Sequence, residues 1–233
     1  AMIRSLFLSM QELNKGARRP PNVPATKVKK LAVIGAGFMG ASVGYVSARA
    51  GIDVVLIDRD QASADKGKGH AQSVIDDLIK KGRAKESERD AIMSRISATA
   101  DYSVLKDCDL IIEAVFEDRK VKAETYAKAQ PLLKADAIFA SNTSTLPINS
   151  LAEEFKDQGK FIGIHFFSPV EKMMLVETIL GKNTGDVALA TALDYVRVIG
   201  KTPIVVNDSR GFFANRCVLR FTAEGLEMLM EGV

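Results

Sequence analysis

The stretch "KKLAVIGAGFMGASVGYVSARAG", residues 29–51, decides the fold. "LAVIG" is a short, continuous apolar run rich in branched side chains, as expected of a strand buried on both faces of a parallel sheet. It leads directly into Gly35-Ala36-Gly37-Phe38-Met39-Gly40, and the residues that follow read as a helix over 38–50. Each glycine answers a physical need: Gly35 a tight turn, Gly37 close approach of the backbone to a pyrophosphate, Gly40 packing of helix on strand. The helix start, with Phe38 and Met39 in its first turn, offers unpaired N–H groups and a positive dipole end to a phosphate.

Taken alone, a match of this kind is weak; its surroundings strengthen it. The next apolar run, "DVVLID", ends in Asp58, at the distance where a carboxylate would hold an adenosine ribose 2′-OH. That negative charge would repel a 2′-phosphate, so NAD is expected over NADP. Arg59 beside it reads either as a contact to a phosphate or adenine or as a surface arginine, and the sequence leaves both open.

Further apolar runs follow at "DLIIEAVF" (109–116), "AIFASN" (137–142), "FIGIHFF" (161–167), "MLVETIL" (174–180) and "PIVVND" (203–208), with helices expected over 119–133 and 186–199. Alternating strands and helices imply an α/β fold, a Rossmann-type doubly wound, mainly parallel sheet. Between the second and third runs, Ser63 to Ile96 reads as an inserted pair of charged helices broken at "KKGRAKES". The N-terminal "MIRSLFLSMQELNKG" places Ile3, Leu6, Phe7, Met10 and Leu13 at helical spacing, an amphipathic helix, and the Pro-rich "ARRPPNVPATKVKK" reads as an extended linker. Ala1 ahead of Met2 reads as an appended residue. From Gly211 onward, apolar side chains occur on almost every face of an expected helix, which calls for burial by a following helical domain. The expected division is a connector helix and linker (1–26), a nucleotide-binding domain (27–208) and the first helix of a truncated helical domain (209–233).

Composition narrows the function classes. Basic and acidic residues nearly balance, 32 against 29, which gives no reason to expect nucleic-acid binding. Cys108 and Cys217 match no metal or disulfide spacing and read as free thiols, used for packing, in a reducing compartment. No apolar run approaches the length of about 18 residues that spans a bilayer. A soluble intracellular protein with no metal is expected.

The chain has only two histidines. His165 ends the fifth apolar run, and ligands in such sheets lie outside the carboxyl ends of the strands. Ser168-Pro169 stops the run with a turn. Asn142-Thr143-Ser144 lies at the same end of the preceding run, and Glu177 ends the next one, within reach of the ring. An imidazole can take up a proton near neutral pH, and a carboxylate on its other nitrogen fixes the tautomer and stabilises the imidazolium. Beside a nicotinamide, such a pair suits alcohol oxidation.

The set "GAGFMG", "EAVFEDRKVK", "ASNTSTLPI", "GIHFFSPVEKMMLVE" and "GFFANR", in this order and spacing, resembles the L-3-hydroxyacyl-CoA dehydrogenase family from about Lys27 to the last residue. The resemblance implies His165 as general base on the 3-hydroxyl, Glu177 as its orienting partner, and Ser144 and Asn215 as hydrogen-bonding partners of the substrate. It implies that Glu117 and Lys122 line the nicotinamide side and that Asn142 belongs to the cofactor site. Ser168 departs from the family's usual Asn in "HFFNP", which bears on the turn and spares the His-Glu pair. The N-terminal helix and linker resemble the connector of multifunctional β-oxidation enzymes. That implies an upstream enoyl-CoA hydratase domain, a homodimer or thiolase-containing complex as partners, and the bacterial cytoplasm as location, with peroxisome or mitochondrial matrix as the alternative. Lys66, Lys68, Lys80, Lys81, Arg83 and Lys85 make the inserted hairpin basic; this reads either as a solvated face or, by the resemblance, as a surface near CoA phosphates. His70 reads as a surface residue. Two other functions stay open at this level: a non-catalytic NAD-binding or structural module, and a dehydrogenase of small β-hydroxy acids.

Overall fold

The structure is a computed structural model that describes residues 2–233; Ala1 and the side chains of Met2, Leu6 and Asn14 lie outside the described residues. In chain order its strands are β1 (Lys30–Ile34), β2 (Asp53–Ile57), β3 (Ile96–Thr99), β4 (Leu110–Glu113), β5 (Ile138–Ser141), β6 (Phe161–Phe166), β7 (Leu175–Leu180) and β8 (Thr202–Asn207). The helices are α1 (Met2–Asn14), α2 (Phe38–Arg49), α3 (Gln61–Lys80), α4 (Glu86–Met93), α5 (Arg119–Ala129), α6 (Ile148–Ala152), α7 (Asp186–Val198) and α8 (Ala214–Glu231).

One eight-stranded sheet runs in the order β3-β2-β1-β4-β5-β6-β7-β8. Every neighbouring pair is parallel except β6 and β7, so the expected Rossmann-type architecture is present. Alternation along β1 explains why its sequence is uniformly apolar: Leu31 and Val33 face the core under α2, α3, α4 and α7, while Ala32 and Ile34 face the core under α5 and α6. On the second face Tyr126, Phe139, Phe155 and Phe161 pack as one aromatic group, with Phe139 and Phe161 stacked at 5.9 Å.

Several expectations change. The edge strand β3 is an additional strand, so His165 lies on the sixth strand in chain order, not the fifth. Glu177 does not end a strand: it is the third residue of β7. The helix expected over 119–133 stops at Ala129 and tightens into a 3-10 turn, Gln130–Leu132, where Pro131 removes a backbone donor. The Pro-rich stretch is a docked strap instead of a free linker. Arg19 makes a two-pronged bond to the Asp194 carboxylate of α7, 2.8 Å at each oxygen, and Thr26 adds its amide and hydroxyl at 3.0 and 2.8 Å. Burial opposes ionisation of Asp194, yet Arg19 and Thr26 outweigh it and hold the carboxyl below its ordinary range. The amphipathic helix forms as α1, with Ile3 and Phe7 exposed. None of the α8 side chains is buried; Phe221 and Met230 are more than four-fifths exposed. Cys108 packs in the core, and burial pushes its thiol up to about 11, whereas Cys217 is exposed on α8, outside the core.

Candidate active site

The carboxyl ends of β1, β4, β5 and β6 share one edge of the sheet, and the sequence-predicted residues gather along it. At β1, Gly35 has φ +96°, and a Cβ there would stand 2.6 Å from the Ala114 carbonyl oxygen. A Cβ on Gly40 would collide with the carbonyl oxygen of Gly35 and crowd Val33, so only glycine lets α2 sit this close to β1. Gly37, the N-cap of α2, differs: a methyl there would meet no protein atom within 4 Å. The space over the loop is therefore open on the side where α2 presents its first-turn amides.

Asp58 follows β2 directly. Its Oδ2 accepts the Ala36 amide at 2.7 Å and its Oδ1 the Arg59 amide at 2.8 Å, so the carboxylate also braces the glycine loop. Two adjoining cavities, about 490 and 570 Å³, share Gly37, Asp58 and Arg59. The larger continues past Tyr102, Val115 and Val121; the smaller is lined by Phe38, Ser63, Lys66, Gly67 and His70. An open loop at Gly37, a helix start and a carboxylate between two cavities fit a dinucleotide in chemistry and size. Arg59 pairs with Asp60 at 3.2 Å with its side chain 85% exposed, which favours the surface arginine over a built phosphate contact. His70 is not a plain surface residue. Its ring packs on Phe38 at 5.0 Å and lines the smaller cavity, brought there because Gly67 lets α3 touch the backbone of Ala36. A lone histidine and a lone glycine on a charged helix carry no sequence signal for this.

His165 and Glu177 stand directly opposite one another in the antiparallel β6–β7 pair. His165 Nδ1 lies 2.7 Å from Glu177 Oε2, and both side chains are almost fully buried. The other carboxylate oxygen, Oε1, accepts the backbone amides of Phe213 and Ala214 at 3.0 and 2.8 Å, at the start of α8. Burial alone would raise the Glu177 carboxyl. The bonds from His165, Ala214 and Phe213 outweigh it, and the group stays ionised below its usual range. An ionised Glu177 assigns the Nδ1 proton to the ring, which leaves Nε2 as the acceptor. Phe167 and Phe212 flank the imidazole at 4.4 and 5.9 Å. Phe212 is buried with φ +50°, an unusual backbone for a bulky residue, held where the next two amides meet Glu177.

Asn142 Oδ1 accepts the Phe166 amide at 2.9 Å, tying β5 to β6 beside the histidine. Asn215 Nδ2 donates to the Ser144 carbonyl at 2.8 Å, which brings together two residues 71 apart in sequence. Glu117 gathers the Ser144 turn through the Thr143 hydroxyl at 2.6 Å and the Ser144 and Thr145 amides at 2.9 and 3.1 Å. Burial pushes this carboxyl up too, but the Thr143 bond and the Lys122 ammonium hold it below the ordinary range. Lys122 itself is 1% exposed and lies beneath the edge between Glu113 and Glu117, at 2.7 and 3.2 Å. Lys201, also buried, donates to the carbonyls of Val170 and Met173 at 2.6 Å each and pins the loop that follows β6. Ser168-Pro169 in that loop is cis.

Residues 30–209 match the family model described as the 3-hydroxyacyl-CoA dehydrogenase NAD-binding domain. Among solved structures, M. tuberculosis FadB2 is 32% identical with a TM-score of 0.85, covering 89% of this chain and 73% of its own. The (S)-3-hydroxybutyryl-CoA dehydrogenase PaaH1 of Ralstonia eutropha is 34% identical, TM-score 0.85, over 88% of this chain and 73% of that one. The dehydrogenase part of C. elegans multifunctional enzyme 1 is 32% identical, TM-score 0.73, over 82% of this chain and 44% of that one. Among the described residues no helix is long and apolar enough to cross a membrane. The chain belongs to the 3-hydroxyacyl-CoA dehydrogenase family and carries its NAD-binding domain.

Proposed function

We propose that His165 is the general base in the NAD-linked oxidation of an L-3-hydroxyacyl-CoA to the 3-ketoacyl-CoA, with Glu177 as its orienting partner. The observation that supports this most is the His165–Glu177 pair, 2.7 Å apart, at the edge of the sheet that carries the glycine loop. Nε2 takes the 3-hydroxyl proton, and the ionised Glu177 stabilises the imidazolium that forms. Ser144 and Asn215, joined through the Ser144 carbonyl, hydrogen-bond the substrate near its reacting oxygens. Gly35, Gly37, Phe38, Met39, Gly40 and Asp58 hold the cofactor, and Glu117 and Asn142 shape the nicotinamide side, with Lys122 acting from below. NAD, when bound, accepts the hydride that leaves the substrate carbon.

In this reading residues 1–26 connect to an upstream enoyl-CoA hydratase domain, 27–208 are the nucleotide-binding domain, and 209–233 begin a helical domain. The exposed apolar side chains of α8 support a helical neighbour, and a homodimer or thiolase-containing complex is the corresponding assembly. A bacterial cytoplasm, or a peroxisome or mitochondrial matrix, is its place. The test follows NADH absorbance with acetoacetyl-CoA, the reverse reaction, beside free acetoacetate. NADH consumption with the thioester alone is expected. Consumption with the free acid alone would replace the proposal with a small β-hydroxy acid dehydrogenase, and tight NADH binding without turnover of either would favour a binding module.

A further inference from the structure

Glu113, the last residue of β4, is a fully buried carboxylate with no role in the mechanism above. Four donors converge on it. Oε1 accepts Lys122 Nζ at 2.7 Å and the Val115 amide at 2.8 Å; Oε2 accepts Ser141 Oγ at 2.8 Å and the Tyr126 hydroxyl at 3.0 Å. Burial, with the Glu113 charge next in weight, pushes the Tyr126 phenol far up, so it remains a donor to this carboxylate. The Glu113 carbonyl also takes the Asn142 amide at 2.8 Å. From Lys122 the chain of contacts continues to Glu117 Oε2 at 3.2 Å and, through Glu117 Oε1, to the amides of Ser144 and Thr145. It ends where Asn215 reaches the Ser144 carbonyl.

A buried ion pair is a poor source of stability, because desolvation of both charges offsets most of their attraction. An apolar set of the same volume would fill this space at lower cost. What the carboxylate supplies is direction, since four donors arriving along separate lines leave Lys122 one place to stand, and Lys122 then leaves Glu117 one place.

We propose that Glu113 is a positioning residue of the active site: through Lys122 and Glu117 it sets the 143–145 turn and so the placement of Ser144 and Asn215. The proposal rests on the dehydrogenase reading for its catalytic consequence, while its structural consequence stands without it. Glu113→Gln keeps the shape, lets the Tyr126 and Ser141 hydroxyls rotate to meet the new amide, and removes the charge that fixes Lys122.

Two readouts are taken on wild type, Glu113→Gln, Lys122→Met and the double variant. The first is kcat per NADH-binding site with acetoacetyl-CoA. The second is hydrogen exchange of the Ser144 and Thr145 amides, which needs no activity. Expected for Glu113→Gln are a kcat lower by about tenfold or more with KM little changed, and exchange at both amides faster by about tenfold. The double variant is expected to be no worse than Lys122→Met alone, because the two residues act in series. Unchanged exchange at Ser144 and Thr145, or losses that simply add in the double variant, would overturn the proposal. A lower melting temperature with unchanged kcat per binding site and unchanged exchange would reduce Glu113 to a structural role and overturn it as well. Should Glu113→Gln fail to fold, Tyr126→Phe and Ser141→Ala each remove one donor, and the same exchange measurement decides. An inactive wild type would count against the dehydrogenase reading alone, since the exchange comparison still judges Glu113.

Discussion

Glu177 joins two parts of the site with one carboxylate: Oε2 holds the His165 ring at 2.7 Å, and Oε1 holds the first amides of α8 at 2.8 and 3.0 Å. The residue proposed to orient the base therefore also holds the start of the helix that carries Asn215. Glu177→Gln keeps one acceptor for those amides but loses the charge that stabilises an imidazolium. A kcat reduced by about 10²–10⁴-fold is expected, as for other bases deprived of their orienting carboxylate. NADH affinity, measured by fluorescence titration, should change by less than about threefold, and so should it for His165→Ala. A loss of NADH binding as large as the loss of turnover would contradict both roles.

The same carboxylate predicts an acid limb in stability. Glu177 and Glu117 both titrate below their ordinary value in the folded chain. A depressed folded value means the contribution is complete above the unfolded value, about 4.3 for glutamate, and is lost as pH falls through the lower folded value. Urea midpoints of the wild type should thus fall steeply below about pH 4, and the slope should be shallower for Glu177→Gln. Parallel slopes would show that Glu177 is not held ionised by the fold.

Asp58 has one observed contact, to the Ala36 amide, and one proposed one, to the ribose, and substitution can separate them. Asp58→Ala removes the proposed ribose contact and also leaves the Ala36 amide, now bonded at 2.7 Å, without its partner. The ratio of NAD to NADP affinity is expected to drop by about tenfold or more, with a modest loss of stability. Asp58→Asn keeps an acceptor for Ala36 while losing the charge. It should keep the wild-type melting temperature yet still lose the cofactor preference, and an unchanged ratio in isothermal titration would refute the ribose contact.

How much of this was legible in the sequence depends on the range over which each feature is encoded. The glycine loop and Asp58 were readable because a turn, a helix start and an acidic strand end lie within one βαβ unit. The His165–Glu177 pair was readable from two successive apolar runs and the motif that joins them, whereas the antiparallel pairing that sets residues 12 apart face to face belongs to the fold. β3 was not: "ISAT" is four residues long at a sheet edge, with only Ile96 buried, too short and mixed to show a period. Nor could the strap have been found, since Arg19 and Asp194 are 175 residues apart and nothing local marks them as partners. In the sequence Glu113 is a single acidic residue inside the apolar run 109–116, and only the fold reveals the four donors around it. The apolar content of α8 was clear, and its side chains lack burial as that content led one to expect.

The two cysteines differ in a way that a thiol reagent can read. Cys217 is exposed on α8, while Cys108 is buried and its thiol is pushed up to about 11 by burial. Native protein at pH 8 should react rapidly at Cys217 and at least about 100-fold more slowly at Cys108, with both equally fast in denaturant. Rapid modification of both in the native state would mean that the core beneath β4 opens readily.

The motif glycines offer the sharpest separation of folding from binding, because the same methyl group has opposite consequences three residues apart. At Gly40 it would strike the Gly35 carbonyl and crowd Val33, so α2 must shift. Gly40→Ala should therefore cost about 1–3 kcal/mol of stability, as overpacking does, and weaken NAD binding only as the loop is displaced. At Gly37 the methyl meets no protein atom within 4 Å, and replacing an N-cap glycine by alanine is itself a small change. Gly37→Ala should keep a melting temperature close to wild type and still lose at least about tenfold in NAD affinity, because the methyl stands where the pyrophosphate approaches the backbone. A Gly37→Ala protein that binds NAD normally would show that the open space over the loop is not the phosphate site.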